Sequence, residues 1–170
     1  LDTITTEYGY EFAKEKFGLT TLTDHYEASD GRILSDINYG PLAMGAQTIG
    51  VTVRDMSSAF ATFANDGMYR KGRTFTKVYD SNGELILDNT QEKEQILSKK
   101  TVDYMNYCLT DATNEGTGTE ANLFYSHGIT TAGKTGTTTS MRDYYFAGYT
   151  PDFVACCWYG YDNNKTITID

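Results

Sequence analysis

Three segments near the C-terminus constrain this chain most. Residues 129–138, 144–150 and 153–159 are dominated by β-branched, aromatic and small residues, and little more than the turn sequence Thr150-Pro151-Asp152 separates the last two. A link that short joins neighbouring antiparallel strands, because a parallel pair needs a crossover of a dozen or more residues. The chain therefore contains an antiparallel sheet, and its 170 residues suffice for one core around it.

Upstream the hydrophobic period changes to that of helices. In residues 5–17 the apolar side chains Tyr8, Phe12 and Phe17 fall near helical spacing, and Gly18 follows where a left-handed cap would sit. From 19 to 50 the periodicity dissolves into Asp, Ser, Gly and Pro41, which reads as a long irregular connection, either functional or packed against something. Thr52 followed by Asp55 resembles a capping box with Asp in place of Glu, and Val53, Met56, Phe60 and Phe63 make an apolar stripe ending at Gly67. Residues 74–79 and 84–87 flank Asp80-Ser81-Asn82-Gly83, whose Asn-Gly pair is expected to supply the positive backbone angles of a tight hairpin. Ser98 can cap a third helix with Val102, Met105, Leu109 and Ala112 buried, closing near Gly116 and followed by a loop rich in Gly and Thr.

The formal charge of −9 comes from 14 basic and 23 acidic residues, scattered without a tail or stripe, which argues against nucleic acid as a partner. No apolar run is long enough for a membrane span and no signal-peptide pattern opens the chain, so the piece reads as soluble, with any membrane attachment expected only through segments absent from it. Cys108, Cys156 and Cys157 are expected as buried thiols. Neither His25 nor His127 lies at ligand spacing from them, so no metal or other cofactor is implied.

Residues 128–135, Gly-Ile-Thr-Thr-Ala-Gly-Lys-Thr, match the letter of a phosphate-binding loop. Such a loop needs a helix opening at its Lys-Thr pair so that backbone N–H groups face the phosphates. Here Ile-Thr-Thr-Ala is itself strand-like and Gly136-Thr137-Thr138-Thr139 starts a helix poorly, so the nucleotide reading is set aside. Read as a strand, the same residues carry Lys134-Thr135-Gly136, a triplet found in penicillin-binding proteins and class A β-lactamases.

Its neighbours make the resemblance specific. Residues 132–138 (AGKTGTT), 143–151 (DYYFAGYTP) and 158–162 (WYGYD) resemble the closing strands of a bifunctional, class A type penicillin-binding protein. Residues 59–67 (AFATFANDG) resemble that family's helix end, with Phe60 in place of the usual tyrosine, and Gly116-Thr117-Gly118 resembles the loop preceding its Lys-Thr-Gly strand. The similarity is collinear from about Gly45 to Asp162 and weaker in the first 44 residues.

The resemblance implies an α+β fold of the serine β-lactamase and penicillin-binding transpeptidase type, an antiparallel sheet flanked by helices. It implies a D-Ala-D-Ala transpeptidase acting outside the cytoplasmic membrane, with peptidoglycan stem peptides as substrates and β-lactam antibiotics as ligands. Lys134 would be the catalytic cation, and Thr135, Gly136, Thr137 and Thr138 would bind substrate. None of the serines is followed by Lys three residues later or Asn two residues later, so the family's other two catalytic motifs are absent. Residues 1–170 are accordingly expected to be the C-terminal part of one transpeptidase domain, inactive alone, whose partner is the missing N-terminal part carrying the nucleophile. A β-lactamase or carboxypeptidase shares the Lys-Thr-Gly strand, and a non-catalytic interaction module of the same fold is the alternative from another class. Trp158, Tyr144, Tyr145 and Phe146 read as core aromatics, His127 as a polar loop residue and Asp143 as a turn closer.

Overall fold

The computed structural model describes residues 4–122 and 125–168. Thr5 caps α1 (Thr6–Glu11) by accepting from the Tyr8 N–H; the helix runs on as a π-helical turn, Phe12–Lys16, and Gly18 takes the expected positive φ of 65°. Phe12 and Phe17 stack edge-on with centroids 5.5 Å apart, and Phe17 in turn meets Phe63, so this helix is tied to the core by its aromatic stripe.

The stretch from 19 to 50 is more ordered than its lack of periodicity implies. It holds a hairpin of β1 (Tyr26–Glu27) and β2 (Ile33–Leu34) and a short helix α2 (Tyr39–Met44). Pro41 lies in the first turn of α2, where its missing N–H costs nothing. What organises this region is one carboxylate. Asp36 is 0% exposed and accepts from the N–H groups of Thr23 (2.9 Å) and Thr48 (2.7 Å) and from the Thr48 hydroxyl (2.7 Å). Charge-assisted bonds of this kind hold segments together without any hydrophobic repeat, so the order left no periodic trace in the sequence.

Thr52 caps α3 (Val53–Ala64) by accepting from the Asp55 N–H, as expected, but the Asp55 carboxylate does not return the bond of a capping box and accepts instead from the N–H and hydroxyl of Thr20. The fully buried positions are the small residues Ser58, Ala59 and Thr62, while Phe60 and Phe63 are half-buried beside them. After β3 (Met68–Tyr69), β4 (Lys77–Tyr79) and β5 (Leu85–Asp88) form the expected hairpin. Its turn differs in detail: Gly83 alone takes positive φ (85°), the Asp80 carboxylate accepts from the Asn82 and Glu84 N–H groups, and the ladder shifts register at Val78/Tyr79. The acceptor two residues before Asn82 closes an Asx turn, so the asparagine need not go left-handed. β6 (Glu94–Gln95) pairs with β3.

Ser98 caps α4 (Lys99–Asn114) through the Thr101 N–H. Val102 and Leu109 are buried as expected, Met105 and Ala112 only half so, and Thr113, which carries no hydrophobic signal, is fully buried. Two 3₁₀ turns, Thr119–Ala121 and Tyr125–His127, lead to β7 (Ala132–Thr137), β8 (Asp143–Tyr149) and β9 (Val154–Gly160). These three make an antiparallel sheet in the order β7-β8-β9, with β7 at an edge among the described residues. The core sits where α3 and α4 meet the sheet: Leu109, Ala132 and Tyr149 are buried together, with Phe60, Phe63, Met105 and Val154 packed around them.

Two expectations about buried side chains are corrected. Cys108 and Cys157 are exposed and only Cys156 is half-buried, because Cys108 shares the outer side of α4 with exposed Tyr104 and Tyr107, and Cys157 alternates to the opposite sheet face from Cys156. Trp158 is 38% exposed, its indole N–H donating to Asp143 Oδ1 at 3.0 Å, while Tyr144, Tyr145 and Phe146 are half-buried.

Candidate active site

The Gly133-Lys134-Thr135 run lies inside β7, with no helix opening at the Lys-Thr pair, so the geometry a phosphate loop requires is not formed. The period of two along β7 places Ala132, Lys134 and Gly136 on one face and Gly133, Thr135 and Thr137 on the other. Register fixes which is which. Ala132 pairs with Tyr149 and Tyr149 with Val154, all three in the core under α3 and α4; Lys134 pairs with Ala147, and so stands on that helix-facing side just past the buried Ala132 and Ala147.

Lys134 is exposed, and its Nζ donates to the Thr135 carbonyl at 2.8 Å. A lysine ammonium carries three protons, so the group keeps donors for another acceptor. Thr135 is half-buried, Gly136 and Thr137 exposed. Because Lys134 and the two threonines occupy opposite faces, only the open edge of β7 is common to them all, and a ligand meeting all three must lie along it.

The edge is braced at both ends. At the start of β7 the buried Thr113 hydroxyl donates to the Thr131 carbonyl (2.6 Å), clamping the end of α4 to the strand. At its far end Thr138 donates to Asp143 Oδ2 and accepts from the Asp143 N–H, both at 2.9 Å. Asp143 thus closes the β7–β8 turn, as expected, and also receives Trp158. Between these braces Thr117 Oγ1 lies 2.7 Å from Thr135 Oγ1. Thr113 was legible only as a helix-end residue and Thr117 only as part of the Gly-Thr-Gly loop; neither contact was, since a hydroxyl that bridges elements leaves no pattern in a sequence. His127 lies in the 3₁₀ turn before the strand, exposed.

The model of the penicillin binding protein transpeptidase domain matches residues 5–165. The chain belongs to that family. Penicillin-binding protein 1A of Clostridium novyi is 33% identical over 144 residues, covering 85% of this chain and 16% of that protein. The corresponding protein of Clostridium perfringens (strain 13) is 36% identical over 143 residues, 76% of this chain and 21% of its own length. The chain therefore spans about a fifth of these curated relatives. Among solved structures, the penicillin-binding protein PonA1 from Mycobacterium tuberculosis superposes with a TM-score of 0.64 at 26% identity, over 89% of this chain and 40% of that one. The transpeptidase-family fold expected from the strand motifs is thus the fold the chain has, with helices laid on an antiparallel sheet. No helix among its described residues is long and apolar enough to cross a membrane.

Proposed function

We propose that residues 1–170 are the C-terminal part of one transpeptidase domain, and that the domain cross-links peptidoglycan by serine acyl transfer from D-Ala-D-Ala stem peptides. The observation that carries this reading is the Lys134-Thr135-Gly136 run on an edge strand, Lys134 and Gly136 exposed and Thr135 half-buried, with Lys134 and Thr135 each held by a specific contact. Since no serine of this chain carries the family's Ser-x-x-Lys pattern, the nucleophile comes from a segment outside these residues.

In the first step that serine's oxygen attacks the carbonyl carbon of the penultimate D-Ala, and its proton passes to the terminal D-Ala amine as the C–N bond breaks. In the second, an amine of another stem peptide attacks the acyl ester and its proton returns to the serine. Lys134 places positive charge beside the substrate's terminal carboxylate and favours the anionic species formed along the way, an effect magnified where water is excluded. The hydroxyls of Thr135 and Thr137 donate to that carboxylate, and the Thr137 N–H is one oxyanion donor, paired with one from the absent nucleophile segment. Gly136 lets the substrate backbone approach the strand edge and add to it as a further strand. Thr138, bonded to Asp143, ends the binding stretch.

β-Lactams would occupy the same edge, their ring amide opening onto the serine; PonA1 has been seen in complex with penicillin V. The activity belongs outside the cytoplasmic membrane, with anchorage supplied by segments beyond these residues. Labelling the whole protein with penicillin and mapping the acylated peptide tests the reading. We expect one stoichiometric adduct on a Ser-x-x-Lys serine outside residues 1–170; absence of any adduct would reduce the chain to an interaction module of this fold.

A further inference from the structure

The loop between α4 and β7 reaches the proposed substrate edge through the Thr117 hydroxyl, 2.7 Å from that of Thr135. The contact is built from both sides. The Gly118 N–H donates to the Ala112 carbonyl (3.0 Å), folding the chain back on the end of α4. A Cβ at Gly116 would stand 2.7 Å from the Ala112 oxygen and 2.8 Å from its Cα, so only glycine lets the loop lie this close. The same helix end is fixed to β7 by Thr113 and Thr131. Helix, loop and strand thus form a closed circuit with the Thr117–Thr135 pair as its outer link.

A threonine hydroxyl has one proton. If Thr135 donates to Thr117 it has none left for an anion; if Thr117 donates, the Thr135 proton is free and made more acidic by the bond its oxygen accepts. Resting on the reading above, in which Thr135 donates to the substrate carboxylate, we propose that Thr117 is a positioning residue: its hydroxyl donates to Thr135 Oγ1 and so keeps the Thr135 proton available for the terminal carboxylate of the acyl donor. The Gly116-Thr117-Gly118 loop acts on carboxylate recognition through this one bond and touches no reacting atom.

The test compares Thr117→Val, which keeps shape and loses the hydroxyl, with Thr117→Ser, which keeps the hydroxyl, in the whole protein. The readout is the second-order rate of acylation by benzylpenicillin and by its methyl ester, whose carboxylate is masked. Thr117→Val is expected to slow acylation by benzylpenicillin about three- to tenfold, the range for one net hydrogen bond, mainly through the binding constant. Thr117→Ser should restore it, and the slower reaction of the ester should not change. In a Thr135→Val background, Thr117→Val should cost nothing further. An equal loss with penicillin and its ester, or an undiminished loss in the Thr135→Val background, would make Thr117 a structural support and overturn the proposal. A rate unmoved by Thr117→Val would overturn it as well. Lys134→Ala keeps this failure distinct from that of the transpeptidase reading: if it slows acylation while Thr117→Val does not, only the positioning role falls.

Discussion

Two tyrosines on β8 offer a test in which the structure assigns opposite signs to one chemical change. Tyr149 is 6% exposed, ringed by Phe60 and Phe63 at centroid distances of 6.4 and 6.5 Å, and its hydroxyl donates to Asn106 Oδ1 at 2.5 Å. The Tyr145 hydroxyl is also buried but has no hydrogen-bond partner among the described residues. Removing one partner of a buried bond leaves the other unsatisfied, whereas removing a lone buried hydroxyl relieves a desolvation cost. Tyr149→Phe should therefore destabilise the domain by about 1 kcal/mol and lower its Tm by about 2–4 °C, while Tyr145→Phe should be neutral or raise it.

Burial pushes both phenols up to about 12, with the neighbouring Cys156 and Cys157 adding to the effect at Tyr145. Since the folded value lies above the ordinary 10.0, each phenol's contribution is complete below pH 10 and is lost as pH rises through about 12. This amounts to at most about 2–3 kcal/mol for Tyr149. Thermal melts of the intact domain at neutral pH and at intervals from pH 9 to 12 measure both effects, and each phenylalanine variant should flatten part of the alkaline fall. If Tyr145→Phe costs as much as Tyr149→Phe at neutral pH, the hydrogen-bond assignment on β8 is wrong.

At Gly148 an added Cβ would lie 2.6 Å from the Phe146 ring, so Gly148→Ala should cost about 1–3 kcal/mol in denaturant unfolding, and Phe146→Leu should recover part of it. Asp36→Asn leaves an amide where three donors converge, and should loosen residues 19–50 by about 1–3 kcal/mol, seen as faster amide exchange confined to that stretch. The 170-residue chain alone should form no covalent penicillin adduct and should associate through its open sheet edges, read by mass spectrometry beside light scattering; a stoichiometric adduct, or a compact monomer melting cooperatively, would contradict one half or the other.

The sequence disclosed those parts of the fold that repeat. The caps at Thr52 and Ser98 and the three β-branched runs each follow from a local period or a local bond and recur in the structure, while of the α3 stripe Phe60 and Phe63 reach the core and the most buried positions are the small residues beside them. Lys134 stands out because its triplet sits in an ordered set of strand motifs, and the structure puts that triplet on an edge strand. What escaped depends on meetings between distant segments: Asp36 gathers Thr23 and Thr48, Thr113 reaches Thr131, and Thr117 reaches Thr135. Polar side chains that join elements have no period, so the one-dimensional pattern gives them no partner, even for Thr117, whose Gly-Thr-Gly loop it singles out. The exposure of Trp158 and Cys157 escaped for a related reason, since alternation says which residues share a face and not what covers it.

In the reading proposed above, Lys134, on the edge of β7, works on the acyl donor. The rate of penicillin acylation of the whole protein, with and without Lys134→Ala, tests it most directly. A charge that acts in the transition state should take the rate down at least about tenfold when removed, with the adduct still forming on the same serine. An unchanged rate would leave Lys134 an exposed strand lysine and the site unassigned.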